Sequence, residues 1–130
     1  MLYFDTCALV KLARPEAESA ALQAWLPQYR TMPKVTSALA EVELSRAIRR
    51  AAPGFHPRVR PLLAGIFKFD IDDIVRARAA GYADPMLRTL DAIHLATAEE
   101  IRAELVAFVT YDDRLAAAAK AIGLPVEAPR

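Results

Sequence analysis

The stretch LRTLDAIHLATAEEIRAELVAFVT, residues 87–110, contains the clearest change of pattern in the chain. Residues 87–105 repeat apolar side chains at helical spacing and follow Pro85, which predicts a long helix. Residues 106–110 are a β-branched and aromatic run that is too short for a helix, and this run predicts a strand. A helix that leads directly into a buried strand is typical of chains that build a parallel sheet.

Shorter runs extend this alternation to both ends of the chain. Apolar or β-branched runs predict strands at 2–5, 34–36 and 66–71, with one further edge strand at 125–126. The helices predicted between and after them are 7–13 behind a Thr6 cap, 16–30 with a kink or end at Pro27, 38–52 behind a Ser37 cap, 57–64, 72–83 and 111–123. We therefore expect an α/β fold, in which helices cover both faces of a central, mainly parallel sheet.

Length and composition set further limits. With 130 residues, of which 55% are hydrophobic, we expect one domain, 1–130, with a single core. The formal net charge of +1 excludes a strongly charged surface overall, so a charged partner requires a local patch. The single cysteine, Cys7, excludes an internal disulfide. No signal-peptide pattern and no apolar run of roughly 18 residues is present, so we expect a cytoplasmic protein that does not enter a membrane.

Asp91 is the acidic residue that packing alone explains least well. A helical wheel of the long helix places it in the apolar stripe with Leu95, Ala98, Ile101 and Leu105. An ionised carboxylate on a core-facing stripe costs several kcal/mol unless it is paired or bound to a cation. The first turn of a helix favours an anion, but the position still indicates a functional carboxylate.

Two more carboxylates follow predicted strands. Asp5 ends the first strand, and Asp112 follows the strand at 106–110 by two residues. Sites in parallel α/β sheets form outside the carboxyl ends of the strands, so both side chains are candidates for a shared site. Each of them, taken singly, is equally well explained as a helix cap.

The helix predicted at 38–52 offers two glutamates, and periodicity does not choose between them. Glu41 and Glu43 flank the apolar centre of this helix on opposite sides. Several carboxylates at one sheet edge repel each other unless a cation lies among them, and oxygen ligands without a Cys/His cluster favour Mg²⁺ or Mn²⁺. The chemistry that such a site indicates is phosphodiester hydrolysis.

Four segments resemble the PIN-domain ribonucleases and, among them, the VapC-type toxins of toxin-antitoxin modules. They are YFDTCALVKL at 3–12, TSALAEVELSRAIRR at 36–50, LRTLDAIHLATA at 87–98 and FVTYDDRLAAAA at 108–119. The resemblance implies a PIN-like three-layer α/β/α sandwich and a site in which Asp5, Glu43, Asp91 and Asp112 bind Mg²⁺ or Mn²⁺. The family pattern E-L-x-x-A selects Glu43 over Glu41, and the acidic position two residues after Thr110 selects Asp112 over Asp113.

The resemblance also implies an activity and partners. It implies a metal-dependent endoribonuclease that acts on RNA, with transfer or ribosomal RNA as the usual target, and a cognate antitoxin that neutralises it. A homodimer is expected, with the apolar residues of the first two helices as its interface. Core burial explains those residues equally well.

The roles of several other residues are less sharply defined by the sequence. Cys7 stands where the family pattern has serine, and we expect a small buried cysteine. His94 is either a packed core histidine or a general base near Asp91. The basic residues Arg46, Arg49, Arg50, Arg58 and Arg60 either bind RNA phosphates or are solvated. A catalytically silent binding module and a metal-dependent nuclease acting on DNA are the alternative functions.

Overall fold

Five parallel strands form one sheet at the centre of the protein. The computed structural model describes residues 1–130. The strands are β1 (Leu2–Phe4), β2 (Lys34–Ser37), β3 (Phe67–Phe69), β4 (Ala107–Val109) and β5 (Val126–Glu127). Their order across the sheet is β3-β2-β1-β4-β5, with Tyr3 of β1 opposite Val35 of β2 and Phe108 of β4. The carboxyl ends of β1, β2 and β4 therefore lie side by side at the middle of one edge.

Helices connect the strands and cover both faces of the sheet. They are α1 (Thr6–Ala13), α2 (Ser19–Trp25), α3 (Leu39–Ala51), α4 (Val59–Ala64), α5 (Asp73–Gly81), α6 (Thr89–Glu100) and α7 (Asp113–Ala121). Three short 3₁₀ helices, Leu26–Tyr29, Pro53–Arg58 and Arg102–Glu104, follow α2, α3 and α6. None of these helices has the length and apolar character that crossing a membrane requires.

Successive side chains of the buried strands point to opposite faces of the sheet and so divide the core into two halves. Leu2 and Phe4 of β1 pack with residues of α1 and α3, whereas Tyr3 packs on the other face with residues of α6 and α7. This is the side-chain period of two that a strand imposes, and it confirms the predicted three-layer α/β/α arrangement. Leu9 and Leu22, two of the apolar residues considered for a dimer interface, are fully buried in the first half of the core.

The predicted element boundaries were wrong at several places. Asp5, not Thr6, caps α1, because its carboxylate accepts the Ala8 amide at 2.8 Å. Ser37 ends β2, and its hydroxyl accepts the amide of Leu39, the first residue of α3, at 3.2 Å, but the residue directly before α3 is Ala38, whose backbone is already helical. The helix predicted at 16–30 begins later, at Ser19. The predicted kink or end at Pro27 is confirmed, since the helix becomes 3₁₀ at Leu26, next to this proline, which has no amide to donate.

The long helix predicted at 87–105 is also shorter. It runs only over Thr89–Glu100, and Ile101 and Leu105 lie beyond its end. The apolar spacing continues past Glu100 because the next residues form a 3₁₀ helix, Arg102–Glu104, whose side chains also repeat every three residues. The strand predicted at 66–71 pairs only over Phe67–Phe69, since β3 is an edge strand with β2 as its single neighbour.

The stacked pair in the centre of the sheet provides a test of this packing. Phe108 is fully buried and stacks on Tyr3 with ring centroids 5.3 Å apart. We expect Phe108→Ala to lower the free energy of unfolding by about 3 to 5 kcal/mol in urea titrations, since it leaves a cavity in the half of the core that packs against α6 and α7. Phe67→Ala is the matched control, because Phe67 is 61% exposed and its loss is expected to cost less than about 1 kcal/mol.

Candidate active site

Four acidic side chains from separate elements line one cavity of about 590 Å³ at the carboxyl edge of the sheet. Asp5 follows β1, Glu43 lies in α3, Asp91 lies in the first turn of α6, and Asp112 caps α7. The two other acidic candidates, Glu41 and Asp113, are exposed and do not line this cavity. The chain separates these four positions by up to 107 residues, and only the parallel sheet brings them together.

Asp5 is the most deeply buried of the four, with 3% of its surface exposed. Its Oδ1 accepts the Ala8 amide, and its Oδ2 accepts the Thr110 hydroxyl, which belongs to the residue after β4. Burial raises the pKa of Asp5 to about 6, against the lowering effects of nearby His94 and of these two hydrogen bonds. The carboxylate is thus fixed in position but costly to ionise.

Glu43 is held by a hydrogen-bond chain that begins in the core. The Tyr3 hydroxyl lies 2.7 Å from Nδ1 of His94, and Nε2 of His94 lies 2.7 Å from Oε1 of Glu43. In neutral His94, Nε2 carries the proton that bonds the carboxylate, and Nδ1 accepts the Tyr3 proton. The Thr6 hydroxyl also donates to Oε1 at 2.7 Å. Oε2 of Glu43 makes no hydrogen bond within the protein.

These contacts decide the ionisation of Glu43. Burial opposes the charged form, but the hydrogen bonds from His94 and Thr6 outweigh it, so the pKa of Glu43 lies below its usual value. His94, 2% exposed, is therefore both a buried histidine and a direct partner of a site carboxylate. Sequence reasoning missed Tyr3 and Thr6, and only the one-turn spacing of His94 from Asp91 indicated that His94 reaches the site.

Asp91 and Asp112 are bridged by one guanidinium group. Nε of Arg88 donates to Oδ2 of Asp91 at 2.9 Å, and a terminal nitrogen of Arg88 donates to Oδ2 of Asp112 at 2.8 Å. The other oxygen of Asp112 accepts the amides of Arg114 and Leu115 at the start of α7. Asp91 is thus not a core residue: it faces the cavity, and an arginine that sequence reasoning did not single out compensates its charge.

The donor chemistry of the cavity fits a hard divalent cation, because its acidic groups are all carboxylates and Glu43 Oε2 and Asp91 Oδ1 have no partner in the protein. The side chains do not form a completed set of ligands, since no group of three or more His, Cys, Asp or Glu is arranged to hold an ion. In this arrangement Arg88 occupies one oxygen of Asp91 and one of Asp112.

Cys7 differs from the expectation of a buried side chain. It is exposed and lies in the wall of the cavity. Desolvation by the surrounding atoms, together with Asp5 and Asp112, raises the pKa of its thiol to about 11. The thiol is therefore protonated at neutral pH and is not poised as a nucleophile.

Comparison with known proteins identifies the family. The model of the PIN domain matches residues 2–121. Ribonuclease VapC35 of Mycobacterium tuberculosis is 53% identical over 131 residues, covering 99% of this chain and 97% of that protein. Ribonuclease VapC46 of the same organism is 43% identical, covering 98% and 97%. The chain belongs to the PIN-domain family and, within it, to the VapC-type ribonucleases.

A solved structure shares the fold. The crystal structure of Mycobacterium tuberculosis VapC20, described as a Sarcin-Ricin loop cleaving toxin, aligns with a TM-score of 0.69, covering 95% of this chain and 96% of that one. The two sequences are only 13% identical, so this likeness concerns the architecture. The predicted PIN-like sandwich is confirmed.

Because Asp5 is buried, we expect the protein to become more stable to unfolding when this carboxylate is replaced by an uncharged side chain. Because the pKa of Asp5 rises from 3.8 to about 6 on folding, the folded state binds more protons and loses stability as pH rises through this range. We expect Asp5→Asn to raise the free energy of unfolding at pH 7 by up to about 2 kcal/mol, a gain reduced by the loss of one acceptor, since the Asn amide nitrogen cannot accept the Thr110 hydroxyl. The gain should shrink as pH falls from 6 to 4, measured by urea unfolding in EDTA.

Asp72→Asn is the matched control for this measurement. Asp72 caps α5 as Asp5 caps α1, with its Oδ1 accepting the Val75 amide at 2.9 Å, but Asp72 is exposed. An Asp5→Asn protein that is less stable than wild type at pH 7 would show that the carboxylate's hydrogen bonds outweigh its burial.

Proposed function

We propose that the protein is a divalent-metal-dependent endoribonuclease and acts as the toxin of a toxin-antitoxin module, neutralised by a cognate antitoxin. One observation carries the proposal: four carboxylates from four separate elements line one cavity at the carboxyl edge of a parallel sheet. The VapC relatives, which are named ribonucleases and match nearly the whole chain, support RNA as the substrate class.

Asp5, Glu43, Asp91 and Asp112 are the residues that would hold Mg²⁺ or Mn²⁺. A bound divalent ion supplies charge neutralisation at a phosphodiester and lowers the pKa of a water molecule. Without a cation, four carboxylates around one cavity repel an anionic backbone. The acidic cavity therefore has a use on RNA only with a cation in it, which is why metal dependence belongs to the proposal.

Hydrogen bonds within the protein hold Asp5 and Glu43 in position, and they favour the ionised form of Glu43. Thr110 and the Ala8 amide hold Asp5, so its carboxylate has little freedom to turn away. His94 and Thr6 hold one oxygen of Glu43 and leave the other directed to the cavity. The lowered pKa of Glu43 keeps this side chain ionised at neutral pH. No side chain of the cavity is required as a covalent nucleophile.

RNA is the proposed substrate, with transfer or ribosomal RNA as plausible targets, and the toxin role implies a cytoplasmic location. We also propose that the protein binds a VapB-like antitoxin and forms a homodimer. Residues 1–130 are proposed to form one PIN domain. The VapC35 and VapC46 names support the ribonuclease class, and the VapC-type family supports the antitoxin. The target of VapC20 does not transfer to this chain at 13% identity.

Cleavage assays with paired variants test the function. Purified protein is incubated with total RNA, and separately with single-stranded DNA, in Mg²⁺, Mn²⁺ or EDTA. We expect discrete RNA cuts with either metal and none in EDTA. Glu43→Gln and Asp112→Asn are expected to reduce the rate by about 100-fold or more, since each removes a charged oxygen ligand.

The neighbouring acidic residues provide the controls. Glu41→Gln and Asp113→Asn remove the same charge two positions or one position away, outside the cavity, and should cleave within about twofold of wild type. Metal-dependent cuts in DNA alone would favour the DNA nuclease. An inert wild type that still binds a partner protein at the cavity would favour the silent binding module.

The Arg88 bridge makes a separate prediction about metal binding. Because Arg88 holds Oδ2 of both Asp91 and Asp112, its guanidinium has to leave before an ion reaches those atoms. Arg88 is 62% exposed, so each of these pairs contributes little. We expect Arg88→Gln to tighten Mn²⁺ binding by about 3- to 10-fold in isothermal titration calorimetry.

Arg114→Gln is the control for the loss of one positive charge near the cavity. Arg114 is exposed at the start of α7, and only its backbone amide contacts Asp112. Weaker Mn²⁺ binding by Arg88→Gln, or equal tightening by both variants, would show that the bridge does not compete with the ion.

A further inference from the structure

Two arginine side chains of α3 lie in the wall of the cavity that holds the four carboxylates. Arg46 and Arg50 line it together with Glu43, whereas Arg49 of the same helix does not. Positions three and seven residues after Glu43 lie on the same side of a helix. At a rise of about 1.5 Å per residue, they follow Glu43 by about 5 and 10 Å along the axis. The helix thus presents one carboxylate and then two guanidinium groups in a row.

Neither arginine has a partner in the protein. Both side chains are exposed. The arginines that form ion pairs are Arg14, Arg76, Arg78, Arg88, Arg102 and Arg130. Arg46 and Arg50 are four residues apart on one helix, a spacing at which like charges destabilise the helix. Neither side chain forms an ion pair or a hydrogen bond that holds the fold together, and only Arg50 has a favourable position near the end of α3.

The other basic residues of this region are placed differently. Arg58 lies over the ring of Phe55, 5.0 Å from its centroid. Arg60 lines another cavity, with His56 and Lys68. Of the five arginines at 46–60, only Arg46 and Arg50 share the cavity of the candidate active site. Exposed Val42 and Leu90 lie in the same wall and offer apolar surface to a base.

We propose that Arg46 and Arg50 bind two phosphates of single-stranded RNA on one side of the cleaved bond, an inference that rests on the proposed ribonuclease function. A guanidinium fork matches the oxygens of a phosphate, and the net charge of +1 gives the protein no general attraction for RNA. The strand leaves the carboxylates along α3 toward its carboxyl end. An acidic protein partner is the alternative occupant of this surface, and it would leave RNA binding unaffected by the loss of these two arginines.

Binding of a short mixed-sequence RNA, measured by fluorescence anisotropy, tests the assignment. All proteins carry Asp91→Asn to prevent cleavage, and titrations run in Mg²⁺ over a range of salt concentrations. We expect Arg46→Ala with Arg50→Ala to weaken binding about 10-fold or more and to reduce the salt slope by about 1.4, since each single-strand phosphate contributes about 0.7. Arg46→Lys, which keeps the charge, should keep the slope.

Arg49→Ala is the control, because it removes an equal charge from the same helix outside the cavity. It should bind within about twofold of the parent protein. Alanine suits an exposed helical position, so all these variants are expected to fold, with circular dichroism as the check. Equal losses for Arg49→Ala and the double variant would show that RNA responds only to total charge, and the inference would be wrong.

Two further outcomes separate this inference from the function on which it rests. Unchanged RNA binding by the double variant, while wild type cleaves RNA with metal, overturns the inference alone. Absence of metal-dependent RNA cleavage by wild type overturns the ribonuclease function, and the phosphate site with it.

Discussion

The carboxylate of Asp5 joins the fold to the candidate active site. The backbone amide of Asp5 donates to the Val109 carbonyl of β4. In its side chain, Oδ1 accepts the Ala8 amide and so caps α1, and Oδ2 accepts the hydroxyl of Thr110. One residue therefore links the central strand, the first helix and the strand beside it. The other acidic residues reach the cavity because the elements that carry them pack around this junction.

The same residue illustrates why a site of this kind weakens the fold that carries it. Burial raises the pKa of Asp5 to about 6, so the ionised carboxylate lowers the free energy of unfolding at neutral pH. Each of the other carboxylates has a local compensation: His94 and Thr6 for Glu43, and Arg88 for Asp91 and Asp112. A divalent cation would offset two of these four negative charges and would have to displace Arg88 from Asp91 and Asp112.

Basic groups line the same cavity as the carboxylates, so a nearly neutral chain still has local positive charge for the proposed anionic substrate. Arg88 lies among the carboxylates, whereas Arg46 and Arg50 lie further along α3. The first is paired within the protein, and the other two are not. These surroundings suit Arg88 to compensating the carboxylates, and they suit Arg46 and Arg50 to the proposed contact with a substrate backbone.

The pattern of the chain predicted the α/β class and all but the boundaries of its elements, because apolar periods of two and 3.6 residues are properties of single segments. It also placed Asp5 and Asp112 after strands and Asp91 on the inner side of a helix. The choice of Glu43 over Glu41 needed the family resemblance, since both flank one apolar stripe. The change at Pro27 was predicted, because a proline without an amide is visible in the sequence. The helix α6 was predicted to continue to residue 105, because periodicity does not show where α-helical hydrogen bonds give way to a 3₁₀ turn.

By itself, then, the sequence determined which segments form strands and helices and which acidic residues stand at their ends. Only the tertiary structure decided what each carboxylate contacts. The partners Tyr3, His94 and Glu43 come from three elements up to 91 residues apart, and Arg88 meets Asp112 across 24 residues. Such contacts depend on how strands are ordered in the sheet, and the spacing within any one segment carries no information about that order.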